Sequence, residues 1–276
     1  MSSTNDRVNC RSETVSRKAT KMLAYNKEGS GERALLLITG LGGHASFWDK
    51  QRPGLAEQFT VLSFDQRGMG ANREVTGRHT LDEIVSDAIS ILDDAGVAKA
   101  SIIGHSMGGV ITQCIVLDHP SRVRSAVFSG TFCAFDWYMM TIGNLRQKVL
   151  ETAGSAAFGH LSALLAMPGA NVLDPSYDLK ARLDGGPKAT DQVMQLRQKA
   201  VYSFDRRDEL RQVDLPSLVV GATDDMLAPP YQSRNIAELI PGARLEMLDG
   251  GHFFPVTRPE RYFEVIQPFL AEQVQL

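Results

Sequence analysis

Short apolar runs alternate with amphipathic stretches along most of the chain. The runs are rich in branched aliphatic residues and are bounded by glycine, proline or polar turn residues; they cover residues 34–39, 60–64, 101–103, 126–129, 217–220 and 244–248. Runs of this length and composition are typical of strands that are buried on both faces of a parallel sheet. A weaker strand or hairpin is expected near residues 21–26.

The stretches between these runs have the periodicity of amphipathic helices. Thr80 and Glu83 form the sequence pattern of a capping box, and apolar residues follow it at i, i+3 and i+4 spacing. A further helix is predicted over residues 107–119, and Thr257 with Glu260 predicts a second capping box at the last helix. Strands that alternate with helices predict an α/β fold with a doubly wound, mostly parallel sheet.

The alternation stops between residues 131 and 205, where helix-forming and apolar residues are interrupted by glycine and proline. We predict a helical cap there, inserted into a core domain that comprises residues 1–130 and 206–276. Ligands of α/β sheets bind beyond the carboxyl ends of the strands, so an insertion from one of those ends covers the site. The candidate substrate-binding residues are Phe132, Phe135, Trp137, Tyr138 and Met139 in the cap, together with Phe253 in the core. Each of the cap residues is equally suited to holding the cap on the core.

A serine stands where one of the predicted strands meets a helix, in the sequence Gly104-His105-Ser106-Met107-Gly108-Gly109. At such a corner a strained serine backbone projects the Oγ atom out of the sheet, and the flanking glycines leave room for the turn and the crossing helix. We therefore predict that Ser106 is a nucleophile. The five-residue pattern also arises by chance, so the prediction depends on the strand before it, the helix after it and partner residues further along.

A serine nucleophile requires a neutral imidazole to take its proton and a carboxylate to hold that imidazole in the right tautomer. Of the six histidines, only His252 lies in a loop after the last predicted strand, and the other five are not expected to act as the base. Asp224 and Asp225 follow the strand at 217–220. Adjacent residues point in different directions, so only one of these two carboxylates is expected to reach His252.

Two backbone N–H groups are needed to bind the negative oxygen that forms when serine attacks a carbonyl group. Met107 follows the nucleophile at a helix N-terminus, and Leu41 lies in the glycine-rich loop after the strand at 34–39. Both are predicted to form the oxyanion hole. Arg67 is expected to fix a turn by bonding Asp65 or backbone carbonyls rather than to bind substrate.

The charge and cysteine content restrict the partners and the cofactors. The 276 residues carry a formal net charge of -3 with both signs interspersed, which predicts a small-molecule substrate rather than nucleic acid or a membrane surface. Cys10, Cys114 and Cys133 are widely spaced, and no metal cluster or dinucleotide fingerprint is recognisable, so neither metal nor cofactor is expected. The absence of an apolar leader or a membrane-length run predicts a cytoplasmic protein.

Several motifs together resemble those of the α/β-hydrolase fold superfamily from about residue 30 onwards. They are Thr39-Gly40-Leu41-Gly42-Gly43, Asp65-Gln66-Arg67-Gly68, the serine motif, His119-Pro120-Ser121-Arg122-Val123, Asp225-Met226-Leu227-Ala228-Pro229 and Gly250-Gly251-His252. The first two motifs and Trp48 resemble the small bacterial hydrolases grouped with aminoacrylate hydrolases and 3-oxoadipate enol-lactonases. The resemblance implies a cofactor-free hydrolase of small metabolites. It also places the acid four residues before a proline, which selects Asp225 and leaves Asp224 to cap the following turn.

These observations predict a serine hydrolase that cleaves a small ester, lactone or activated amide-like compound through an acyl-enzyme on Ser106. A carbon–carbon bond hydrolase is an alternative, although such enzymes typically have asparagine and tryptophan where this chain has His105 and Phe253. A perhydrolase shares the same catalytic residues, and a ligand-binding receptor on the same fold is disfavoured by them. The sequence leaves open the leaving group, the oligomeric state, and whether a cap arginine such as Arg146 or Arg182 pairs with a substrate carboxylate.

Overall fold

The computed structural model describes residues 22–167 and 189–273, and Cys10 and Arg182 lie outside them. Within these two ranges, seven strands form one sheet in the order β1-β3-β2-β4-β5-β6-β7, in which only β1 runs antiparallel to its neighbour. The predicted α/β class with a mostly parallel sheet is therefore confirmed. The strands are β1 (Asn26–Glu28), β2 (Ala34–Ile38), β3 (Thr60–Ser63), β4 (Ala100–His105), β5 (Val123–Ser129), β6 (Ser217–Ala222) and β7 (Arg244–Leu248).

Helices connect the parallel strands, and the longest of them follows β5 and bends at Gly154, which has a φ of 78°. Short 3-10 turns lie at Ala45–Trp48, Gly70–Asn72 and Pro120–Arg122. No helix in the described ranges is long and apolar enough to cross a membrane. The helices are α1 (Arg52–Ala56), α2 (Leu81–Asp94), α3 (Met107–Asp118), α4 (Trp137–Ala166), α5 (Asp191–Tyr202), α6 (Arg207–Leu210), α7 (Pro230–Leu239), α8 (Phe254–Thr257) and α9 (Pro259–Glu272).

The first predicted capping box is confirmed and the second is wrong. Thr80 accepts the N–H of Glu83, and the Glu83 carboxylate accepts the N–H of Thr80, both at 3.3 Å. The last helix instead begins after Arg258, without a side-chain cap. Thr257 already belongs to α8, so its hydroxyl turns back and donates to the carbonyl of Gly250 at 2.7 Å. This bond supports the loop that follows β7.

The central strands are apolar on both faces, as buried parallel strands must be. Leu36 and Ile38 pack into the core cluster on one side of the sheet, together with residues of α2, α3 and α7. Leu35 and Leu37 pack into a second cluster on the other side, with Tyr262 and other side chains of α9. Helices therefore cover both faces, which leaves the carboxyl edge of the sheet for a site.

The register brings the ends of the central strands to one level. The last residues of neighbouring strands pair with each other or are offset by one residue. The pairs are Ile38 with Gly104, His105 with Ser129, and Ala222 with Leu248. The loops that carry the predicted site residues all leave the sheet at this edge. The chain between β5 and β6 includes α4 and α5; its division from the core as a cap over residues 131–205 stays a prediction.

Candidate active site

Ser106 occupies the sharp corner between β4 and α3. Its φ of 56° and ψ of -121° are a left-handed conformation that a residue with a Cβ adopts only under constraint, at a cost of about 1–3 kcal/mol. The Ser106 N–H donates to the carbonyl of Ser129 at 2.9 Å, which fixes the corner to β5. A Cβ at Gly108 would lie 2.2 Å from the carbonyl oxygen of Ile38, so only glycine lets the helix cross this closely.

His252 and Asp225 reach the serine from the loops after β7 and β6. His252 Nε2 lies 2.9 Å from Ser106 Oγ, and His252 Nδ1 lies 2.8 Å from Asp225 Oδ2. The side chains of both partners are almost fully buried. A neutral imidazole can therefore accept the serine proton at Nε2 while its Nδ1–H donates to the carboxylate.

The two adjacent carboxylates both serve the histidine, in different ways. Asp225 Oδ1 accepts the N–H groups of residues 227 and 228 at 2.8 Å each, so Asp225 itself closes the turn after β6. Asp224 points the other way and accepts the N–H groups of residues 250 and 251 at 3.2 and 2.9 Å. The prediction that Asp224 caps the following turn is therefore wrong. Asp224 instead anchors the loop that carries His252.

The loop after β2 passes directly over the nucleophile. A Cβ at Gly40 would lie 3.0 Å from Ser106 Cβ and 3.5 Å from Ser106 Oγ. The N–H groups of Leu41 and Met107 have no acceptor among the described residues. Met107 is the first residue of α3, where the helix dipole adds partial positive charge. Both amides are thus available for a negatively charged oxygen.

The carbonyl groups of the same loop are held from behind by two buried side chains. Gln66 donates from Nε2 to the carbonyl of Thr39 at 2.7 Å. Arg197 donates from Nε to the carbonyl of Leu41 at 2.9 Å and from Nη2 to the carbonyl of Gly40 at 3.3 Å. Arg197 Nη2 also donates to Gln66 Oε1 at 2.7 Å. The two side chains form one hydrogen-bonded unit beneath the loop.

Sequence reasoning missed Arg197, although a signal for it exists. The buried positions of α5 are Met194, Arg197, Gln198 and Val201, which is the i, i+3, i+4, i+7 pattern of a helix face that packs inward. An arginine at such a position requires partners in the interior. Because those partners are carbonyl groups of the loop after β2, distant in sequence, the pattern indicated burial but not the contact.

His105, next to the nucleophile, lies beneath the ring of His252. Its ring stacks on Phe47 with 4.6 Å between centroids and lies 4.9 Å from the His252 ring. Its Nδ1 is 3.2 Å from Ser129 Oγ. Complete burial lowers the pKa of His105 well below its usual range, so this ring stays neutral and packs against the back of His252.

Arg67 is held by carboxylates of α2 and by one backbone carbonyl. Its Nη2 donates to the carbonyl of Glu83 at 3.5 Å, so the expected bond to a backbone carbonyl is present. Arg67 also makes two bonds to Asp87, at 2.6 and 2.7 Å, and lies 3.4 Å from a Glu83 carboxylate oxygen. Asp65 instead accepts backbone N–H groups of its own neighbourhood, at residues 45 and 71. The expected bond between Arg67 and Asp65 is therefore wrong, because α2 presents its carboxylates to the arginine. Arg67 still acts as a fixed structural cation of this loop.

The aromatic residues predicted to bind substrate fall into two groups, and the first is packed in the interior. Phe132 lies edge-on to Phe135 and Phe204, with centroids 5.2 and 6.5 Å apart. Phe135 also contacts Tyr202, at 5.2 Å. Met139 is buried in the same core cluster as Phe132. These contacts join the segment after β5 to α5, and substrate contact for this group stays a prediction.

The second group is more exposed. Trp137 has 81% of its surface accessible, and the Tyr138 hydroxyl donates to the carbonyl of Met226 at 3.2 Å. Phe253 is half-buried, with its ring 6.0 Å from that of His252. Phe253 is therefore a predicted substrate-binding residue whose ring lies beside the catalytic candidate His252.

Comparison with known proteins gives matches over most of the chain. A family model described as alpha/beta hydrolase fold matches residues 33–259. "Putative carbamate hydrolase RutD" of Caulobacter sp. (strain K31) is 32% identical over 248 residues, covering 88% of this chain and 92% of that protein. A protein of the same description from Azorhizobium caulinodans is 31% identical over 258 residues, covering 91% of this chain and 95% of its own.

One solved structure adds a likeness in shape. The enol-lactonase from Burkholderia xenovorans LB400 superposes with a TM-score of 0.83, covers 90% of this chain and 96% of its own, and is 24% identical. At this identity the likeness concerns the fold alone.

Proposed function

The chain belongs to the α/β-hydrolase fold family, and from this premise we propose that it is a serine hydrolase that forms an acyl-enzyme on Ser106. The observation that carries the proposal is the unbroken series of hydrogen bonds from Ser106 Oγ through His252 to Asp225, at 2.9 and 2.8 Å. That the chain is a hydrolase of small substrates follows from its family and relatives. The mechanism through an acyl-enzyme on Ser106 is the part that we propose.

In the first half-reaction, Ser106 Oγ attacks the carbonyl carbon of the substrate while His252 Nε2 takes the hydroxyl proton. Asp225 stabilises the imidazolium that forms, and the N–H groups of Leu41 and Met107 bind the oxygen that gains negative charge. The tetrahedral intermediate then expels the leaving group, which receives the proton from His252. The acyl group remains bonded to Ser106 Oγ.

In the second half-reaction, water replaces the leaving group. His252 takes a proton from the water as its oxygen attacks the acyl carbon, and the same two amides bind the oxyanion. Collapse of this intermediate breaks the bond to Ser106 Oγ, which recovers its proton from His252. The products are the carboxylic acid and the free enzyme.

The substrate class we propose is a small ester, a lactone or an activated C–N acyl compound. Relatives described as carbamate hydrolases support the C–N part of this range, because a carbamate and an ester present the same kind of carbonyl carbon to a serine. We further propose that residues 131–205 form a cap that selects the acyl group, since they leave the sheet at the edge where Ser106 lies.

The proposal is tested with p-nitrophenyl acetate and a panel of small lactones and carbamates. We expect turnover of the acetate ester by the full chain and a fall of about 10³-fold or more in Ser106→Ala. Rapid quenching followed by mass spectrometry should find one acetyl group on the peptide that contains Ser106. Turnover that survives Ser106→Ala, or an acetyl group on another residue, would refute the mechanism.

A further inference from the structure

Arg197 is a fully buried cation that has no ion-pair partner in the described part of the chain. None of its surface is accessible, and its Nη1 atom has no hydrogen-bond acceptor among residues 22–167 and 189–273. Burial lowers the pKa of Arg197 to about 10, so the guanidinium still carries its charge at neutral pH. A buried charge that no carboxylate neutralises is costly. Packing alone therefore does not account for an arginine at this position.

The groups that Arg197 does bond all belong to the loop above the nucleophile or hold that loop. Together with Gln66 it binds the carbonyl groups of three successive residues, Thr39, Gly40 and Leu41. Arg197 Nη2 also lies 4.0 Å from the sulfur of Met107, the other residue of the proposed oxyanion hole. One guanidinium thus touches both sides of the hole.

Peptide geometry links these bonds to the direction of one N–H group. The carbonyl of Gly40 and the N–H of Leu41 belong to the same peptide unit, and in a trans peptide they point in opposite directions. Arg197 Nη2 at 3.3 Å and the N–H of Gly43 at 3.0 Å together hold the Gly40 carbonyl on one side, so the N–H of Leu41 is turned to the other. Gly40 approaches Ser106 so closely that a Cβ there would contact the serine side chain. The amide is therefore held at the nucleophile.

We propose that Arg197 is a positioning residue of the oxyanion hole, which aims and polarises the Gly40–Leu41 peptide and thereby couples helix α5 to the chemistry at Ser106. This inference rests on the proposed serine mechanism. A cation that donates to a carbonyl draws electron density through the peptide and strengthens its N–H as a donor. The charge, left without a carboxylate, also favours the oxygen that becomes negative in the transition state.

A positioning role for Arg197 differs in its kinetics from a structural role and from a substrate-binding role. A purely structural arginine would contribute to folding, and its loss would lower kcat no more than the loss of another buried side chain of α5 does. An arginine that binds a substrate carboxylate would change KM, and only for anionic substrates. A positioning residue acts in the transition state, so its loss lowers kcat and leaves KM nearly unchanged.

The test compares Arg197→Met and Arg197→Lys with Gln198→Leu. Gln198 is a suitable control because it is the next buried residue of α5. Its partners in the described part of the chain are the carbonyl of Gly143 and the hydroxyl of Tyr202, away from the loop. Each variant is assayed with p-nitrophenyl acetate and inhibited with phenylboronic acid. The boronate adds to the serine and places an oxygen where the oxyanion forms.

We expect Arg197→Met to lower kcat about 100-fold with KM changed less than about threefold, since removing one direct oxyanion donor costs about 10²–10³ in kcat. The inhibition constant of phenylboronic acid should rise by a similar factor. Arg197→Lys should lose about tenfold, because a single ammonium cannot bond both carbonyls in the same geometry. Gln198→Leu should lower the unfolding temperature but keep kcat within about threefold.

Equal losses of kcat in Arg197→Met and Gln198→Leu, or a boronate affinity that does not change with kcat, would overturn the proposal. A rise in KM at constant kcat would overturn it in favour of substrate binding. If Arg197→Met does not fold, the lysine variant decides by the same two comparisons. Wild-type turnover that does not depend on Ser106 would refute the serine mechanism itself, whereas Ser106-dependent turnover that is insensitive to position 197 refutes only this inference.

Discussion

The carboxyl edge of the sheet and the segment between β5 and β6 approach the same serine, but they are held by different kinds of contact. At the edge, Ser106 is fixed by its own backbone conformation, and Asp224 and Asp225 bind backbone N–H groups of the loops they support. In the segment between the strands, Phe135 and Tyr202 are held by ring packing with distant side chains. Local backbone constraints leave motifs in the sequence, and long-range packing does not.

The largest effect that would sharpen this comparison is expected from Asp225→Asn. The amide oxygen would keep the turn bonds made by Oδ1, so the NH₂ group would face His252 Nδ1 and force the proton onto Nε2. Nε2 could then no longer accept the serine proton. We expect kcat to fall about 10⁴-fold, as the corresponding change does in a serine protease, with the unfolding temperature nearly unchanged.

The matched control for that variant is Asp224→Asn. Among the residues that the structure describes, its carboxylate bonds only backbone N–H groups, and the amide oxygen can keep one of these bonds. We expect at most about a tenfold loss of kcat and about 1 kcal/mol less stability. Steady-state kinetics and urea unfolding of the two variants check the ranking, and a larger kinetic loss in Asp224→Asn would move the acid to that residue.

The edge of the sheet was predictable because each of its features follows from a short stretch of sequence. The strand–turn–helix corner at Ser106, the Thr80 capping box and the apolar strands appear where the pattern places them. The resemblance to the α/β-hydrolase superfamily is confirmed by the family match. Ser106, His252 and Asp225 lie together as expected, and their chemical roles stay proposals until the variants are assayed.

The next largest effect is a loss of stability in Gly108→Ala, compared with Gly159→Ala in α4. A Cβ at position 108 would lie 2.2 Å from the backbone oxygen of Ile38, and backbone cannot move aside as a flexible side chain does. A Cβ at position 159 meets nothing within 4 Å. We expect a loss of about 3 kcal/mol or more for the first variant and a gain of about 0.5–1 kcal/mol for the second.

Urea unfolding of these two alanine variants provides the measurement. Because both substitutions add the same methyl group to a helix, their difference reports the packing of α3 against β2 rather than helix propensity. Similar stabilities in the two variants would show that the edge of the sheet is no more tightly constrained than the segment between β5 and β6. The two regions would then not differ in the way their contacts suggest.

The predictions that failed are those that depend on which distant group a side chain meets. Arg67 is predicted to bond Asp65, two residues away, or backbone carbonyls. It does bond the carbonyl of Glu83, but α2 brings the Asp87 carboxylate to it instead of Asp65. Thr257 was expected to begin a helix, but a preceding short helix already includes it. Arg197 escaped notice because its partners are two backbone carbonyls and the distant side chain of Gln66, which no sequence pattern marks.

A smaller effect is expected on the pH dependence of stability, through His79. This residue is 2% exposed, and burial together with the nearby Arg197 and Arg67 lowers its pKa to about 4. Its pKa in the unfolded chain is about 6.5. Between these values the unfolded chain binds a proton that the folded chain does not, so stability is full above pH ~6.5 and is lost as the pH falls towards 4.

The measurement is urea unfolding at neutral pH and near the lower of the two pKa values, with His79→Asn. Asparagine does not titrate and tolerates the positive φ of 54° at this position. The variant should lose about 2 to 3 kcal/mol less than the wild type on acidification. His160→Asn, at an exposed position of α4, should keep the wild-type pH dependence. An unchanged pH dependence in His79→Asn would mean that another group, such as the buried His105, causes the loss.

The smallest effect is expected for Trp137→Ala, which tests the predicted substrate contacts of the segment after β5. Its side chain is 81% exposed, so its removal should change the free energy of unfolding by less than about 0.5 kcal/mol. Phe132→Ala, at a position 5% exposed within the aromatic cluster, should cost about 3 kcal/mol or more. Because Trp137→Ala is expected to leave the fold intact, a rise in its KM at unchanged kcat for a panel of acyl esters reports lost substrate contact. If KM and stability are both unchanged across the panel, Trp137 does not bind substrate. Selection of the acyl group must then come from residues closer to His252. Phe253 is the first of these to test, because its ring lies 6.0 Å from that of His252.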